Sequence, residues 1–157
     1  MMTVLVPMNA AFYDEFAELL AKDYAGENVT AGLWAADTAL ERARHSIQAS
    51  LPQGIETPEH YLYEIKTDAQ NDRVGYLWFA NVERYRVHSA FVYELMIYPQ
   101  FRRQGHAAAA FRLMEQRLRE LGSAAIELNV FASNPAAQAL YASLGYVTTK
   151  MTLRKPL

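Results

Sequence analysis

The chain contains no cysteine, and this absence removes several kinds of chemistry at once. None of the 157 residues can form a disulfide, bind a metal through a thiolate or carry an acyl group on sulfur. Its stability therefore needs no oxidising compartment, and we expect a cytoplasmic protein.

An excess of positive charge and long apolar runs are also missing. The net charge is −2, far from the basic excess of proteins that neutralise many nucleic-acid phosphates. The N-terminal apolar stretch from Val4 to Met8 is short, contains Pro7, and no run approaches the roughly 18 residues that span a bilayer. We expect neither nucleic acid nor a membrane as a partner, although a local anion site stays compatible with this charge.

Hydrophobic residues are plentiful, at 52% of the chain, which is enough to bury a continuous core. No repeat, low-complexity segment or linker interrupts the sequence. We expect a single domain over residues 1–157.

The N-terminal third predicts a strand followed by two helices. Val4–Val6 is a short strand, and Asn9 can cap a helix that frays near Gly26. Thr38 and Glu41 have the spacing of a capping box, which predicts the start of a second helix.

The remainder predicts three strands, a helix, a strand, a helix and a last strand. Aromatic and β-branched residues favour an antiparallel meander over residues 61–66, 73–82 and 88–98, which Pro99 ends. Apolar residues then step by three and four from Ala107 to Gly122. After this helix, the sequence predicts a strand over residues 126–131, a short helix capped by Asn134 with Pro135 in its first turn, and a strand over Val147–Leu153. The order β-α-α-β-β-β-α-β-α-β is that of a mixed α/β sheet with helices packed on it.

The junction between the third meander strand and the helix is the most informative one. The first backbone N–H groups of a helix have no internal partners and lie at the positive end of the macrodipole, which favours an anion. Gly105 and Ala107 leave room for a close ligand, and Arg102 and Arg103 add charge. The alternative is an ordinary basic turn before a surface helix.

Two motifs in this part of the chain resemble those of the GCN5-related N-acetyltransferases (GNAT). The segment from Glu94 to Ala107 resembles motif A, with Arg102, Gly105 and Ala107 in the pattern of the pyrophosphate loop. The segment from Leu128 to Tyr146 resembles motif B, with Asn134, Tyr141, Gly145 and Tyr146 in place. The resemblance implies a mixed, mostly antiparallel sheet of six to seven strands, flanked by about four helices.

The resemblance also implies acetyl-CoA as the cofactor, with CoA as the product and no metal. The backbone of the strand before the loop would bind the pantetheine arm and the loop amides the pyrophosphate. The residues assigned to the cofactor are Leu95, Met96, Ile97, Arg102, Arg103, Gln104, Gly105, His106, Ala107, Asn134 and Tyr141. Asn134 has the cap of the following helix as a rival role.

Two residues are candidates for catalysis by this resemblance. Tyr141 can protonate the departing thiolate, or it can simply pack its helix against the sheet. Glu94 lies in an apolar stretch, where a carboxylate is either a base with a raised pKa or an outward-facing strand residue. The sequence contains no Gly-x-Ser-x-Gly motif for a serine nucleophile, and its histidines do not have the spacing of metal ligands. Direct transfer from the cofactor to the acceptor is therefore the simplest mechanism.

The acceptor implied by the resemblance is a primary amine of a small molecule or a peptide. Asn129 stands where the branch that acetylates ribosomal proteins tends to carry a glutamate, which counts against that substrate. Candidates for the acceptor pocket are Tyr24, Trp34, His60 and Tyr61, each of which can equally be a partly buried aromatic. A non-catalytic acyl-CoA sensor or scaffold is the alternative function, and a homodimer is a family-level expectation.

Overall fold

The computed structural model describes residues 2–84 and 87–157. Its strands are β1 (Thr3–Pro7), β2 (His60–Thr67), β3 (Arg73–Arg84), β4 (Val87–Ile97) and β5 (Ala125–Leu128). They lie side by side in chain order, and every neighbouring pair is antiparallel except β4 and β5, which are parallel. The predicted mixed, mostly antiparallel sheet is confirmed, with five strands in place of six to seven.

Four α-helices cover the two faces of this sheet. They are α1 (Tyr13–Thr30), α2 (Ala39–Ser50), α3 (His106–Glu120) and α4 (Pro135–Ser143). Side chains alternate between faces along a strand, so Tyr76 and Trp78 of β3 pack against α1 and α2, while Leu77 and Phe79 pack against α3. Burial on both faces explains why β3 reads as a continuous apolar run.

Two details of the N-terminal helices differ from the sequence predictions. α1 does not fray near Gly26 but continues to Thr30, because Ala25 and Asn28 are buried and their packing offsets the cost of glycine. Thr38 begins α2 without the predicted capping box, since its hydroxyl donates to the Ala35 carbonyl oxygen instead. Asn9 does cap as predicted, accepting from the Ala11 N–H at 2.9 Å and opening a 3-10 turn that leads into α1.

The predicted last strand is wrong. Residues 147–153 form no strand, although Val147, Met151 and Leu153 alternate as expected. A strand needs a neighbouring edge for its backbone hydrogen bonds, and this segment lies away from the described sheet with its apolar side chains exposed. The alternation therefore marks an apolar face that is exposed in this structure.

No described helix combines the length and the apolar character that crossing a bilayer requires.

Candidate active site

The sheet forks next to Glu94. Trp78 pairs with Glu94 and Phe79 with Val92, so Tyr93 is an extra residue in β4, a β-bulge. The parallel ladder with β5 covers Ser89–Val92 and stops at the bulge. Past this point no described strand pairs with β4 on the β5 side, and a wedge opens beside the backbone of residues 93–97.

The turn that follows β4 places the N-terminus of α3 at the end of this wedge. Gly105 is the N-cap residue in the left-handed region (φ 87°), and Arg103 also has a positive φ of 63°. A Cβ added at Gly105 would meet no atom within 4 Å, so the space in front of the first turn is open. The described residues give this turn no side-chain cap, which leaves its N–H groups for an anionic ligand.

His106 shows how this turn is held in place. Its side chain is buried, and its Nδ1 lies 2.9 Å from the Thr3 hydroxyl of β1. The imidazole therefore fixes the start of α3 to the sheet, and only the backbone of His106 faces the open side.

The side chains of the two arginines in the turn point in different directions. Arg102 turns back to β4, where its Nε donates to the Ile97 carbonyl oxygen at 2.9 Å and its Nη2 lies 3.6 Å from the Met96 sulfur. Arg103 is exposed to solvent. The positive charge of Arg102 is close enough to Asp23 on α1 to oppose the rise that burial causes in the pKa of that carboxyl group.

A cleft of about 360 Å³ lies between α1 and the loop before α4. Its lining residues are Lys22, Asp23, Gly26, Glu27, Thr30, Phe131, Ser133 and Asn134. Asn134 is the N-cap of α4 as predicted, accepting from the Ala137 N–H at 3.1 Å. Its place at the cleft is compatible with contact to a ligand as well.

Asp23 and Glu27 at this cleft are close enough to Glu94 for the three carboxyl groups to act on one another's pKa. Burial and the carboxylates of Asp23 and Glu27 raise the pKa of Glu94 well above its ordinary value, against a hydrogen bond from the Leu95 N–H. Burial, then Asp23, raises the pKa of Glu27 to about 7. Burial also raises the pKa of Asp23, whose Oδ2 is buried and has no hydrogen-bond partner. Glu94 is thus close to the acidic side chains of α1, and burial together with these carboxylates favours its protonated form.

The Tyr141 hydroxyl is close to the same groups. Burial, then Glu94 and Glu27, raises the pKa of Tyr141 to about 12, so the group stays protonated at neutral pH. The ring packs edge-on against Phe111 of α3 at 5.5 Å between centroids and lies 5.9 Å from Tyr146. The ring of Tyr141 therefore packs α4 against α3, and its hydroxyl lies in the field of Glu94; its role as a proton donor stays a prediction.

The four aromatic residues proposed for an acceptor pocket are not brought together. Tyr24 and Trp34 pack edge-on at 5.2 Å beneath the α1–α2 connection. Burial lowers the pKa of His60, and its Nδ1 accepts from the Trp78 Nε1–H at 2.9 Å. Tyr61 is stacked on Phe79, on the α3 face of the sheet. None of the four lines the cleft.

Asp23 and Glu27 stood among the charged residues that hinted at an acidic approach for a cationic amine, but sequence reasoning did not assign them to the site. The available signal was their spacing, because residues four apart share one face of a helix. A second signal was Gly26, three residues after Asp23 and directly before Glu27, where the surface of the helix is open.

The site thus contains a helix N-terminus that can bind an anion, a part of β4 that pairs with no described strand on the β5 side, a tyrosine hydroxyl and a carboxyl group with a raised pKa. The acidic side of the cleft favours a cationic ligand. Among the described residues, no cluster of His, Asp or Glu is arranged to hold a metal ion.

Comparison with known proteins identifies similar chains. The model of the acetyltransferase (GNAT) family matches residues 14–146. The Bacillus subtilis N-acetyltransferase YdgE is 32% identical over 153 residues, covering 98% of this chain and 97% of its own. YycN from the same organism is 32% identical over 157 residues, covering 100% of each.

Solved structures agree with this. The crystal structure of YycN superposes with a TM-score of 0.94 over 99% of each chain, at 31% identity. AAC(6′)-Iy, solved in complex with the bisubstrate analogue CoA-S-monomethyl-acetylneamine, has the same fold, with a TM-score of 0.65 at 14% identity over 100% of this chain and 99% of its own.

Proposed function

Because the chain belongs to the GNAT family of acetyltransferases, we propose that it moves the acetyl group of acetyl-CoA directly to a primary amine of a small molecule or a peptide. The observation that carries this proposal is that burial and the nearby Glu94 carboxyl group raise the pKa of the Tyr141 hydroxyl, while the pKa of Glu94 is itself raised. Glu94 lies just beyond the point where β4 and β5 stop pairing. A carboxyl group that can accept a proton and a hydroxyl that can donate one are what transfer from a thioester to an amine requires.

The open features of the site fit an acyl-CoA. No described strand pairs with β4 on the β5 side beyond Val92. This edge at Leu95, Met96 and Ile97, where the Arg102 Nε now donates to the Ile97 carbonyl oxygen, can add the pantetheine arm as if it were a strand. The backbone amides from Arg103 to Ala107 can bind the pyrophosphate, and Gly105, which has no side chain, leaves space for it. When bound, acetyl-CoA supplies an acetyl group activated as a thioester.

Glu94 is the proposed general base. An amine attacks only in its neutral form, so its proton must be removed before or during the transfer. The raised pKa of Glu94 brings its basicity closer to that of the amine, and its position opposite α1 faces the acidic cleft. The proton passes from the amine nitrogen to a Glu94 carboxylate oxygen, directly or through one water.

Tyr141 is the proposed general acid. Its hydroxyl remains protonated through the neutral range because its pKa is raised to about 12, and it donates its proton to the leaving sulfur. An ordinary thiol has a pKa of about 8.5, so the thiolate leaves more readily when a proton is supplied within hydrogen-bond reach.

Asp23 and Glu27 are proposed to hold the acceptor. Two neighbouring carboxyl groups on α1 repel one another when both are ionised, and a cationic amine relieves that repulsion. Acceptors that carry a second positive charge are therefore expected to bind better than neutral amines of the same size.

A screen of amines tests the proposal. The protein is incubated with acetyl-CoA and a set of mono-amines, diamines and lysine-containing peptides, and products are identified by mass spectrometry. We expect acetylated product from at least one cationic primary amine, together with a higher melting temperature in acetyl-CoA. A thermal shift with acetyl-CoA and no acetylated product from any amine would instead favour an acyl-CoA sensor.

A further inference from the structure

An aromatic side chain is exposed directly beside the proposed base. Tyr93 is the extra residue of the β-bulge in β4, and Glu94 follows it in the chain. Tyr93 is 38% exposed, whereas its neighbours Val92 and Trp78 are buried. A bulge can re-aim a side chain next to an active site, although it disrupts the ladder locally. Tyr93 has no task in the proposed proton transfers, yet it lies next to the group that accepts the proton.

Tyr93 lies on the same face of the sheet as Glu94. Trp78 and Glu94 are directly opposite one another in the ladder between β3 and β4, and opposite residues project from one face. The Tyr93 ring stacks on the Trp78 ring, with 4.2 Å between centroids and 8° between planes. The Tyr93 ring and the Glu94 carboxyl group are therefore both neighbours of Trp78, on the face that α1 and α2 cover.

Three rings hold Tyr93 in one orientation. Besides the stack on Trp78, Phe91 packs T-shaped against Tyr93 with 4.9 Å between centroids, and the His60 ring lies at 5.5 Å. The Trp78 Nε1–H donates to His60 Nδ1 at 2.9 Å, which ties the cluster together. A ring that is fixed before a ligand arrives loses little conformational entropy on binding, so its contact contributes more to affinity.

The surroundings of Glu94 combine negative charge with an aromatic surface. Asp23 and Glu27 of α1 are close enough to raise the pKa of Glu94, and their charge favours a cationic amine. Tyr93 adds an apolar ring, which favours an aromatic group on the same ligand, since aromatic pairs gain more than their buried area alone provides. A ligand that carries both groups matches both parts of the site.

We propose that Tyr93 is a specificity-determining residue of the acceptor site, where it binds an aromatic ring that the acceptor carries close to its primary amine. The proposal rests on the acetyl transfer proposed above, and it narrows the acceptors from primary amines in general to arylalkyl amines. Tyr93 acts on binding alone, because Glu94 and Tyr141 carry out the proton transfers.

Two amines of similar size and equal charge test the proposal: phenethylamine, and cyclohexylethylamine, whose ring is not aromatic. We expect kcat/KM to be roughly three- to tenfold higher for phenethylamine, through a lower KM. Tyr93→Leu should reduce this ratio to about one, because leucine keeps an apolar side chain without the ring. Tyr93→Phe keeps the ring and should preserve the preference.

Tyr61→Leu is the matched control, because it makes the same change on the opposite face of the sheet, where Tyr61 is stacked on Phe79. It should leave the ratio at the wild-type value. If Tyr93 only covered Trp78, Tyr93→Leu would change the turnover of both amines by the same factor. Equal kcat/KM values for the two amines in the wild type, or an unchanged ratio in Tyr93→Leu, would overturn the proposal.

A binding measurement locates the acceptor ring without turnover and with the Tyr93 side chain in place. Nuclear Overhauser contacts are measured between phenethylamine and the full chain in the presence of CoA, with ¹³C-labelled tyrosine and the Tyr93 signals assigned by their loss in Tyr93→Phe. We expect contacts from the phenyl protons to the Tyr93 ring. Contacts to other tyrosine rings only, or none, would contradict the proposal.

The two proposals fail separately. Acetylation of both amines with equal kcat/KM would remove the role of Tyr93 and leave acetyl transfer in place. Contacts between phenethylamine and the Tyr93 ring, with no acetylated product from any amine, would keep Tyr93 as a binding residue and remove acetyl transfer.

Discussion

At the scale of single residues, two neighbouring tyrosines form a matched pair. Tyr141→Phe removes the proposed proton donor and should lower kcat by roughly 10²-fold while acetyl-CoA binding stays nearly unchanged. Tyr146→Phe removes a hydroxyl that is buried and has no hydrogen-bond partner, so it should leave kcat unchanged and the stability equal or slightly higher. Steady-state kinetics and calorimetry of both variants check this, and equal kcat values for the two would remove Tyr141 from the mechanism.

Glu27 should make stability depend on pH in an unusual direction. Its pKa rises from 4.5 to about 7 on folding, so between these values the folded state holds a proton that the unfolded chain has released. The free energy of unfolding therefore falls as pH rises through this interval. Glu27→Gln should remove about 1–2 kcal/mol of that fall, after allowance for solvent screening.

Urea unfolding between pH 5 and 8 measures this effect, with the exposed Glu56→Gln as the control. An equal pH dependence in the wild type and in Glu27→Gln would show that the Glu27 pKa is not raised by the fold.

At the scale of secondary-structure elements, the two ends of α3 provide a controlled comparison. Gly105 and Gly122 flank this helix with φ of 87° and 82°, and an added Cβ at either meets no atom within 4 Å. Alanine at either position should cost about 1 kcal/mol of backbone strain. Only Gly105→Ala places a methyl group in the pyrophosphate seat, so it alone should weaken acetyl-CoA binding, by roughly tenfold or more.

Isothermal calorimetry with acetyl-CoA distinguishes the two variants. Equal affinities for Gly105→Ala and Gly122→Ala would place the pyrophosphate elsewhere.

The contact between β3 and β4 depends on another glycine. A Cβ at Gly75 would collide with the Met96 carbonyl oxygen, whereas one at Gly26, inside α1, would meet nothing within 4 Å. Gly75→Ala should therefore destabilise the protein by about 2–3 kcal/mol. Gly26→Ala should stabilise it by about 0.5–1 kcal/mol, because alanine is the better helix former. Denaturant unfolding measures both, and a neutral Gly75→Ala would mean that the two strands can separate without cost.

The elements show what the sequence could and could not predict. Periodicity predicted α3 and the meander closely, because their patterns reflect burial, whereas α4 was predicted from its cap Asn134 and from Pro135. The same reasoning placed a strand at Val147–Leu153, since alternation reveals an apolar face but not the edge that receives it. It also ended α1 at Gly26, because local propensity says nothing of the packing of Ala25 and Asn28.

The site was predictable in the parts that follow local rules. The Gly105 turn and the Asn134 cap are set by backbone geometry, which short motifs encode. The coupling of Asp23 and Glu27 with Glu94 depends on how α1 lies across β4, and nothing within either segment specifies that contact. Aromatic character alone does not say on which face of the sheet a residue lies, and Tyr61 is stacked on Phe79 on the face opposite the proposed acceptor cleft.

At the scale of the whole molecule, the account depends on α1, β4 and α4 lying close enough for their side chains to act on one another. The first two contribute the carboxyl groups and the third contributes Tyr141, while the sheet holds β4 against its neighbours through the ladder with β3. The bulge at Tyr93 is what separates β4 from β5 at this level. The proposed pyrophosphate site, base and acid thus all depend on one fork in the sheet.

The most direct test of this account is the pH profile of kcat/KM for wild type and Glu94→Gln, with one acceptor found in the amine screen. Glutamine resembles the protonated carboxyl group that the raised pKa favours, so the variant should fold and bind acetyl-CoA normally. We predict a kcat/KM at least about 100-fold lower and loss of the limb that Glu94 sets on the acidic side. A variant with the wild-type kcat/KM and an unchanged pH profile would contradict the assignment of Glu94 as the base.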